Sequence, residues 1–95
     1  MPGVVFVYIL SCCDGSYYVG STADLAARLD LHQSGRGPDF TAARLPVSLV
    51  YKELQPTLQA AVRRERQLKR WSHPKKAALV AGDLQVLKAL SKRRT

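Results

Sequence analysis

An α+β fold, a small three-stranded and largely antiparallel sheet flanked by helices, is what this chain predicts, and three observations predict it. Two β-branched and aromatic runs lie on either side of a turn signal in the first third of the chain, a third such run lies in the middle, and the remaining segments carry helix caps and helical periodicity. Ninety-five residues suffice for one modest core, so a single domain over residues 1–95 is expected, with a basic helical region over 57–95. The elements read in the order β-β-α-β-α-α.

Val4 to Ser11, the turn signal Asp14-Gly15 and the tyrosine-rich run Ser16 to Gly20 together predict a hairpin. Two registers are open. With a two-residue loop Asp14-Gly15, Tyr18 faces with Ile9 and Ser11, away from Tyr8. With a three-residue loop, Cys13-Asp14-Gly15, and the glycine left-handed in a bulge, Tyr8, Leu10, Tyr18 and Gly20 share one face. Ser21, Thr22 and Asp24 then cap a helix over residues 23–33, which Gly35 and Gly37 stop. The connection Ser34 to Leu45 contains Gly35, Arg36, Gly37, Pro38, Phe40, Thr41 and Arg44, and connections this long are more often functional than short ones. It is not a P-loop, because no Gly-Lys-Ser/Thr follows. Val47 to Leu54 alternates as a third strand. Pro56 precedes a helix from Thr57 to Trp71, His73-Pro74 starts another running to Ala81, and an amphipathic segment from Asp83 to Leu90 ends in the basic tail Lys92, Arg93, Arg94.

The formal charge of +8 is unevenly spread: residues 1–60 carry four Lys/Arg against five Asp/Glu, and residues 61–95 carry eleven against two. The basic half is a plausible phosphate footprint. Cys12 and Cys13 are adjacent, which suits neither a disulfide framework nor a metal-ligand spacing, and a reducing cytoplasm is expected. Gly3 to Cys13 is apolar, yet no basic residue precedes it and no small-residue cleavage site follows, and it is too short to span a bilayer. It is better taken as a buried strand, with no membrane as partner.

Two helices carry polar residues where they cost something. Leu58, Ala61, Val62 and Leu68 form an apolar stripe, and Glu65 falls in the middle of it. A carboxylate there needs a metal or an ion-pair partner such as a nearby arginine. On the earlier helix Leu25 and Leu29 define the inward face, and Arg28 and His32, one turn apart, lie along the same side.

Phe6-Val7-Tyr8-Ile9, then Tyr18-Val19-Gly20 ten residues after Tyr8, then Ser21-Thr22, Arg28, His32 and finally Glu65 form a pattern that resembles the GIY-YIG nuclease superfamily over nearly the whole chain. Each half-motif is uninformative alone; the order and spacing of all five positions are specific. Within the superfamily the chain is similar to the short stand-alone bacterial proteins, relatives of the N-terminal nuclease module of the excision-repair enzyme. It departs from the pattern twice. Phe6 stands where the first half-motif has glycine, and the asparagine that many active members carry after the glutamate has no counterpart, since the sequence contains none.

The resemblance implies a metal-dependent endonuclease that hydrolyses phosphodiester bonds in DNA, or RNA, in repair or recombination. It assigns Tyr8 as general base, Glu65 as ligand of one Mg²⁺ or Mn²⁺ ion, Arg28 as the cation on the phosphate, Tyr18 as the group orienting water or phosphate, and His32 as a residue that relays or accepts a proton. A free tyrosine ionises near pH 10, so a nearby metal and Arg28 are expected to favour phenolate and to make activity rise from pH 6.5 to 9. Gly20 and Ser21 would let backbone approach the phosphate, and Arg36, Arg44, Arg63, Arg66, Lys69, Arg70, Lys75 and Lys76 are candidates for non-specific phosphate contacts. Trp71 reads as a core or interhelical residue. Two rivals fit less of the pattern: a non-catalytic nucleic-acid-binding module on the same fold, and an interaction protein whose basic helices dock on an acidic partner. A separate protein could also target the module.

Overall fold

A computed structural model describes residues 4–92. Two strands, β1 (Val5–Cys12) and β2 (Tyr17–Thr22), are followed by helix α1 (Leu25–Gln33), a single helical turn α2 (Asp39–Ala42) and strand β3 (Val47–Gln55). Helices α3 (Leu58–Arg70), α4 (His73–Ala81) and α5 (Leu84–Lys92) complete the chain. The strands pair in the order β2-β1-β3, antiparallel throughout, so the expected α+β architecture stands with β1 in the centre. Two elements exceed the expected order. One is α2, inside what reads as a loop; the other is α5, which the amphipathic segment from Asp83 forms. Arg93 and Arg94 of the basic tail lie outside the described residues.

The hairpin adopts the three-residue loop. Gly15 N–H donates to the Cys12 carbonyl at 2.9 Å, Cys12 N–H donates to the Ser16 carbonyl at 2.9 Å, and Gly15 sits at φ 86°, a conformation that glycine alone adopts without strain. Tyr8 consequently pairs with Gly20 and Leu10 with Tyr18, and the four residues share a face. That face packs under α1 and the connection, with Tyr8, Leu10, Cys12 and Val47 buried among Leu25, Leu29, Leu45 and Leu49. The other face carries Val5, Val7, Ile9 and Val19 against Ala61 and Leu68 of α3.

β3 serves both layers through an irregularity that simple alternation does not reveal. Tyr51 pairs with Ile9 but Leu49 with Leu10, a slip of one residue that turns Leu49 and Val47 to the Tyr8 face and leaves Tyr51 and Glu53 on the α3 face. The α3 stripe holds at Ala61 and Leu68, both fully buried, but Leu58 is 64 % exposed. It occupies the first helical position, beyond the sheet's cover, so it drops out of the expected apolar set.

Capping explains where the helices stop and start. Asp24, Thr57 and Ser72 accept backbone N–H groups of Ala27, Ala60 and Lys75. At the end of α1, Gly35 N–H reaches the His32 carbonyl and Arg36 N–H the Leu31 carbonyl, with Gly35 at φ 78°. The chain thereby reverses immediately after His32. No helix among the described residues is long and apolar enough to cross a membrane.

Candidate active site

Tyr8 projects from the middle of the central strand and is fully buried. Its ring passes beneath β2 at Gly20, where a Cβ would lie 2.6 Å from the phenol oxygen and 2.7 Å from Cζ. Only glycine permits that approach, so the glycine of Tyr18-Val19-Gly20 makes room for the Tyr8 ring, besides any room it leaves for a ligand. The phenol ends at His32 Nε2, 2.9 Å away, and the imidazole is itself completely buried. His32 lies edge-on to both tyrosine rings, 5.8 Å from Tyr8 and 5.2 Å from Tyr18 between centroids. Its other nitrogen, Nδ1, is 2.9 Å from Thr41 Oγ1 on α2. Gly37 closes over the ring from the connection, where a Cβ would stand 3.0 Å from Nδ1.

Two charges flank this pair. Arg28, one turn before His32 on α1, is half-buried and close enough for its charge to act on both Tyr8 and His32. Glu65 stands on α3 between Ala61 and Leu68 with 22 % of its side chain exposed. Ser21 Oγ donates to Glu65 Oε1 at 2.6 Å, and Lys69 Nζ, one helical turn on, pairs with Oε2 at 2.7 Å. The ion-pair partner is thus a lysine of the same helix. Ser21 points to the α3 face by alternation, so β2, an edge strand, carries Tyr18 and Gly20 toward the phenol and Ser21 toward the carboxylate.

Burial is the largest influence on Tyr8 and pushes its phenol up to about 12, with the charges of Tyr18 and Glu65 acting in the same direction and Arg28 opposing them. Arg28 pulls toward phenolate, as the sequence leads one to expect, but burial outweighs that pull. Burial, then the charge of Arg28, holds His32 below its ordinary value, so the imidazole is a neutral hydrogen-bonding group near pH 7. Burial thus favours a phenol over a phenolate and a neutral imidazole over an imidazolium at this contact.

The candidate phosphate contacts divide. Arg63, Arg66, Lys69 and Arg70 are exposed along α3, and Arg36 is exposed beside Ser34 Oγ, to which it donates at 3.1 Å. Lys76 lies near Lys69, and burial followed by that neighbouring charge lowers its pKa. Two others are committed elsewhere. Arg44 pairs with Asp14 at 3.0 Å, donates to the Phe40 carbonyl at 3.0 Å and lies 4.0 Å over the Phe40 ring, which locks the hairpin turn to α2. Lys75 is only 7 % exposed with its ammonium 4.3 Å over Trp71, so its stem is packed in the interior and it leaves the exposed basic face. Trp71 itself packs half-buried against the core.

Thr41, Gly37 and the pairing of Lys69 with Glu65 are the features that pattern reading passes over. Thr41 lies in a polar connection with no periodicity to mark it as buried; the i,i+4 spacing of Glu65 and Lys69 was a usable signal. Among the described residues no three His, Cys, Asp or Glu side chains converge to hold a metal. A single carboxylate, oriented by Ser21, suits a hard cation that keeps most of its shell as water and phosphate oxygen.

Residues 4–78 match the GIY-YIG catalytic domain. A UPF0213 protein of Streptococcus sanguinis is 42 % identical over 80 residues, covering 84 % of this chain and 92 % of the relative. One from Streptococcus pneumoniae is 45 % identical over 76 residues, covering 80 % and 77 %. Among solved structures, the solution structure of a UPF0213 protein from Bacillus halodurans superimposes with a TM-score of 0.55 at 40 % identity, over 84 % of this chain and 85 % of that one. A solution structure from Enterococcus faecalis gives 0.59 at 31 % identity, over 86 % and 90 %. With the two tyrosines, the arginine, the histidine and the glutamate standing where the fold gathers them, this chain belongs to the GIY-YIG domain family, an endonuclease superfamily.

Proposed function

We propose that the protein is a metal-dependent endonuclease that hydrolyses phosphodiester bonds in DNA. The observation that carries this is the buried contact between the Tyr8 hydroxyl and His32 Nε2 at 2.9 Å, flanked by a half-buried carboxylate and by Arg28. Hydrolysis needs a base for the attacking water and positive charge at the phosphoryl oxygens. Tyr8 is too weak an acid to supply phenolate unaided at neutral pH, but it need not be ionised beforehand. As its oxygen takes a proton from the water, its own proton passes to His32 Nε2, which becomes imidazolium. The resulting hydroxide attacks phosphorus, the bond to the leaving oxygen breaks, and that oxygen is protonated by solvent. Arg28 supports the charge on the phosphate, and Tyr18 orients the water or phosphate through its hydroxyl.

Glu65 would hold the divalent ion, Mg²⁺ or Mn²⁺, with Ser21 fixing the carboxylate; the ion would supply charge neutralisation at the leaving oxygen. Lys69 must release Oε2 for that, and a phosphate of the bound DNA would replace the carboxylate as partner of its ammonium. Nothing in this arrangement reads base edges, so the expected substrate is chosen by shape or by a targeting partner. A role in repair or recombination, in the cytoplasm, fits such a module.

One observation favours a second function, that of a nucleic-acid-binding module without turnover: both Glu65 oxygens already have partners, Ser21 and Lys69. End-labelled branched and single-stranded DNA incubated with Mg²⁺ or Mn²⁺ separates the two. Cleavage by the native protein, lost by at least about 10²-fold in both Tyr8→Phe and Glu65→Ala, is the expected outcome. Equal binding by all three proteins with no cutting by any would establish the binding module.

A further inference from the structure

We infer that Thr41 is a positioning residue that fixes the tautomer of His32, holding the proton on Nδ1 so that Nε2 presents a lone pair to Tyr8. Only this assignment satisfies both ends of the hydrogen-bond chain at once. Thr41 Oγ1 lies 3.1 Å from the Pro38 carbonyl, to which it donates its single hydroxyl hydrogen. Toward His32 Nδ1 at 2.9 Å the same oxygen can then only accept, which places a hydrogen on Nδ1. At the other end, Tyr8 is fully buried and its hydroxyl hydrogen needs an acceptor. Arg28 offers only donors, and the hydroxyl's acceptor among the described residues is His32 Nε2, which accepts only when unprotonated.

The opposite tautomer would turn Thr41 toward Nδ1 as donor and leave the buried Tyr8 hydrogen without an acceptor, a cost the observed arrangement avoids. An unconstrained neutral histidine side chain prefers its proton on Nε2, so the ring needs a fixed acceptor at Nδ1 to be held in the less favoured form. The fold builds that acceptor deliberately in three places. Gly35 reverses the chain after α1, Gly37 allows the connection to pass within contact of the ring, and the single turn of α2 buries Thr41 completely. When Nε2 receives the Tyr8 proton, the chain of Nδ1–H, Thr41 and the Pro38 carbonyl already accepts the other imidazolium hydrogen, and no group has to reorient.

This inference rests on the proposed proton path, but its first test does not require turnover. Long-range ¹H–¹⁵N correlation of ¹⁵N-histidine-labelled protein at pH 7.5 reports the His32 tautomer directly. Protonated Nδ1 with an unprotonated Nε2 is expected in the native protein and in Thr41→Ser, which keeps the hydroxyl. Thr41→Val keeps the shape and removes the acceptor, and should shift the ring toward the Nε2–H form while slowing single-turnover cleavage about 10²-fold at unchanged DNA affinity. Native protein with Nε2 protonated overturns the inference, as does a Thr41→Val spectrum indistinguishable from the native one. If Thr41→Val does not fold, the native and Thr41→Ser spectra still decide the assignment. Absence of cleavage in every protein, with the tautomer as expected, would sink the nuclease function and leave the structural assignment standing.

Discussion

Tyr8 illustrates how a candidate site residue can be recognisable in sequence while its state is not. The sequence left two hairpin registers open, and the three-residue turn that the fold adopts puts Tyr8 and Tyr18 on one face. Its environment depended on residues far away in the chain, chiefly the burial that raises its pKa, which no local pattern encodes. Gly20→Ala tests the closeness of that packing. The added methyl would stand 2.6 Å from a phenol that is buried and hydrogen-bonded, so it should cost about 1–3 kcal/mol of stability by urea denaturation, and a cost near zero would show the ring to be free to move. His32 adds a pH effect of defined sign. Its folded pKa lies below the ordinary 6.5, so below that pH the unfolded chain binds a proton that the folded one resists. Stability should therefore fall as pH drops through and below 6.5, and His32→Gln should reduce that slope.

At the scale of elements, helices and strands were readable from caps, turns and alternation, and the misses have physical causes. The α2 turn has four residues, too few for any periodicity, and its N-cap residue is Pro38 with no side-chain cap bond. The slip between Leu49 and Tyr51 was hidden because both sides of β3 are partly apolar. On the α3 face, burial alone would raise Glu53, but Arg64 at 2.9 Å, Tyr51 and Gln55 hydrogen-bond to it and bring it below the usual carboxylate range. Such a group stabilises the fold above the ordinary carboxylate pKa, and that contribution is lost as pH falls through the folded value. Arg64→Met should cost about 1–3 kcal/mol at pH 7 and remove part of this acid sensitivity, measured by denaturant midpoints at pH 7 and pH 3. Lys69→Met belongs to the same helix and relieves Glu65 of its competing cation. Mn²⁺ affinity without DNA, followed by electron paramagnetic resonance, should rise roughly two- to fivefold, the equivalent of the ~0.5–1 kcal/mol that an exposed ion pair is worth. Unchanged affinity would mean that Glu65 is not where the metal binds.

Over the whole molecule, the charge imbalance visible in the sequence becomes a basic α3 edge beside Glu65, less Lys75, whose ammonium is over Trp71, and Arg44, which clamps the hairpin. DNA affinity should fall steeply with salt, and neutralising Arg63, Arg66 or Arg70 singly should lower the log–log slope by about 1 each at similar cost for all sequences. The central claim is that the Tyr8–His32 pair moves the proton of the attacking water, and a single-turnover cleavage rate measured from pH 5 to 9 in saturating Mn²⁺ tests it most directly. With neutral His32 as the acceptor, the rate should climb only up to about pH 6.5 and then stay level to pH 9, because the imidazole is already unprotonated there. A rate that continues to rise about tenfold per pH unit through pH 9 would mean that Tyr8 must ionise by itself, and would contradict the proton path through His32.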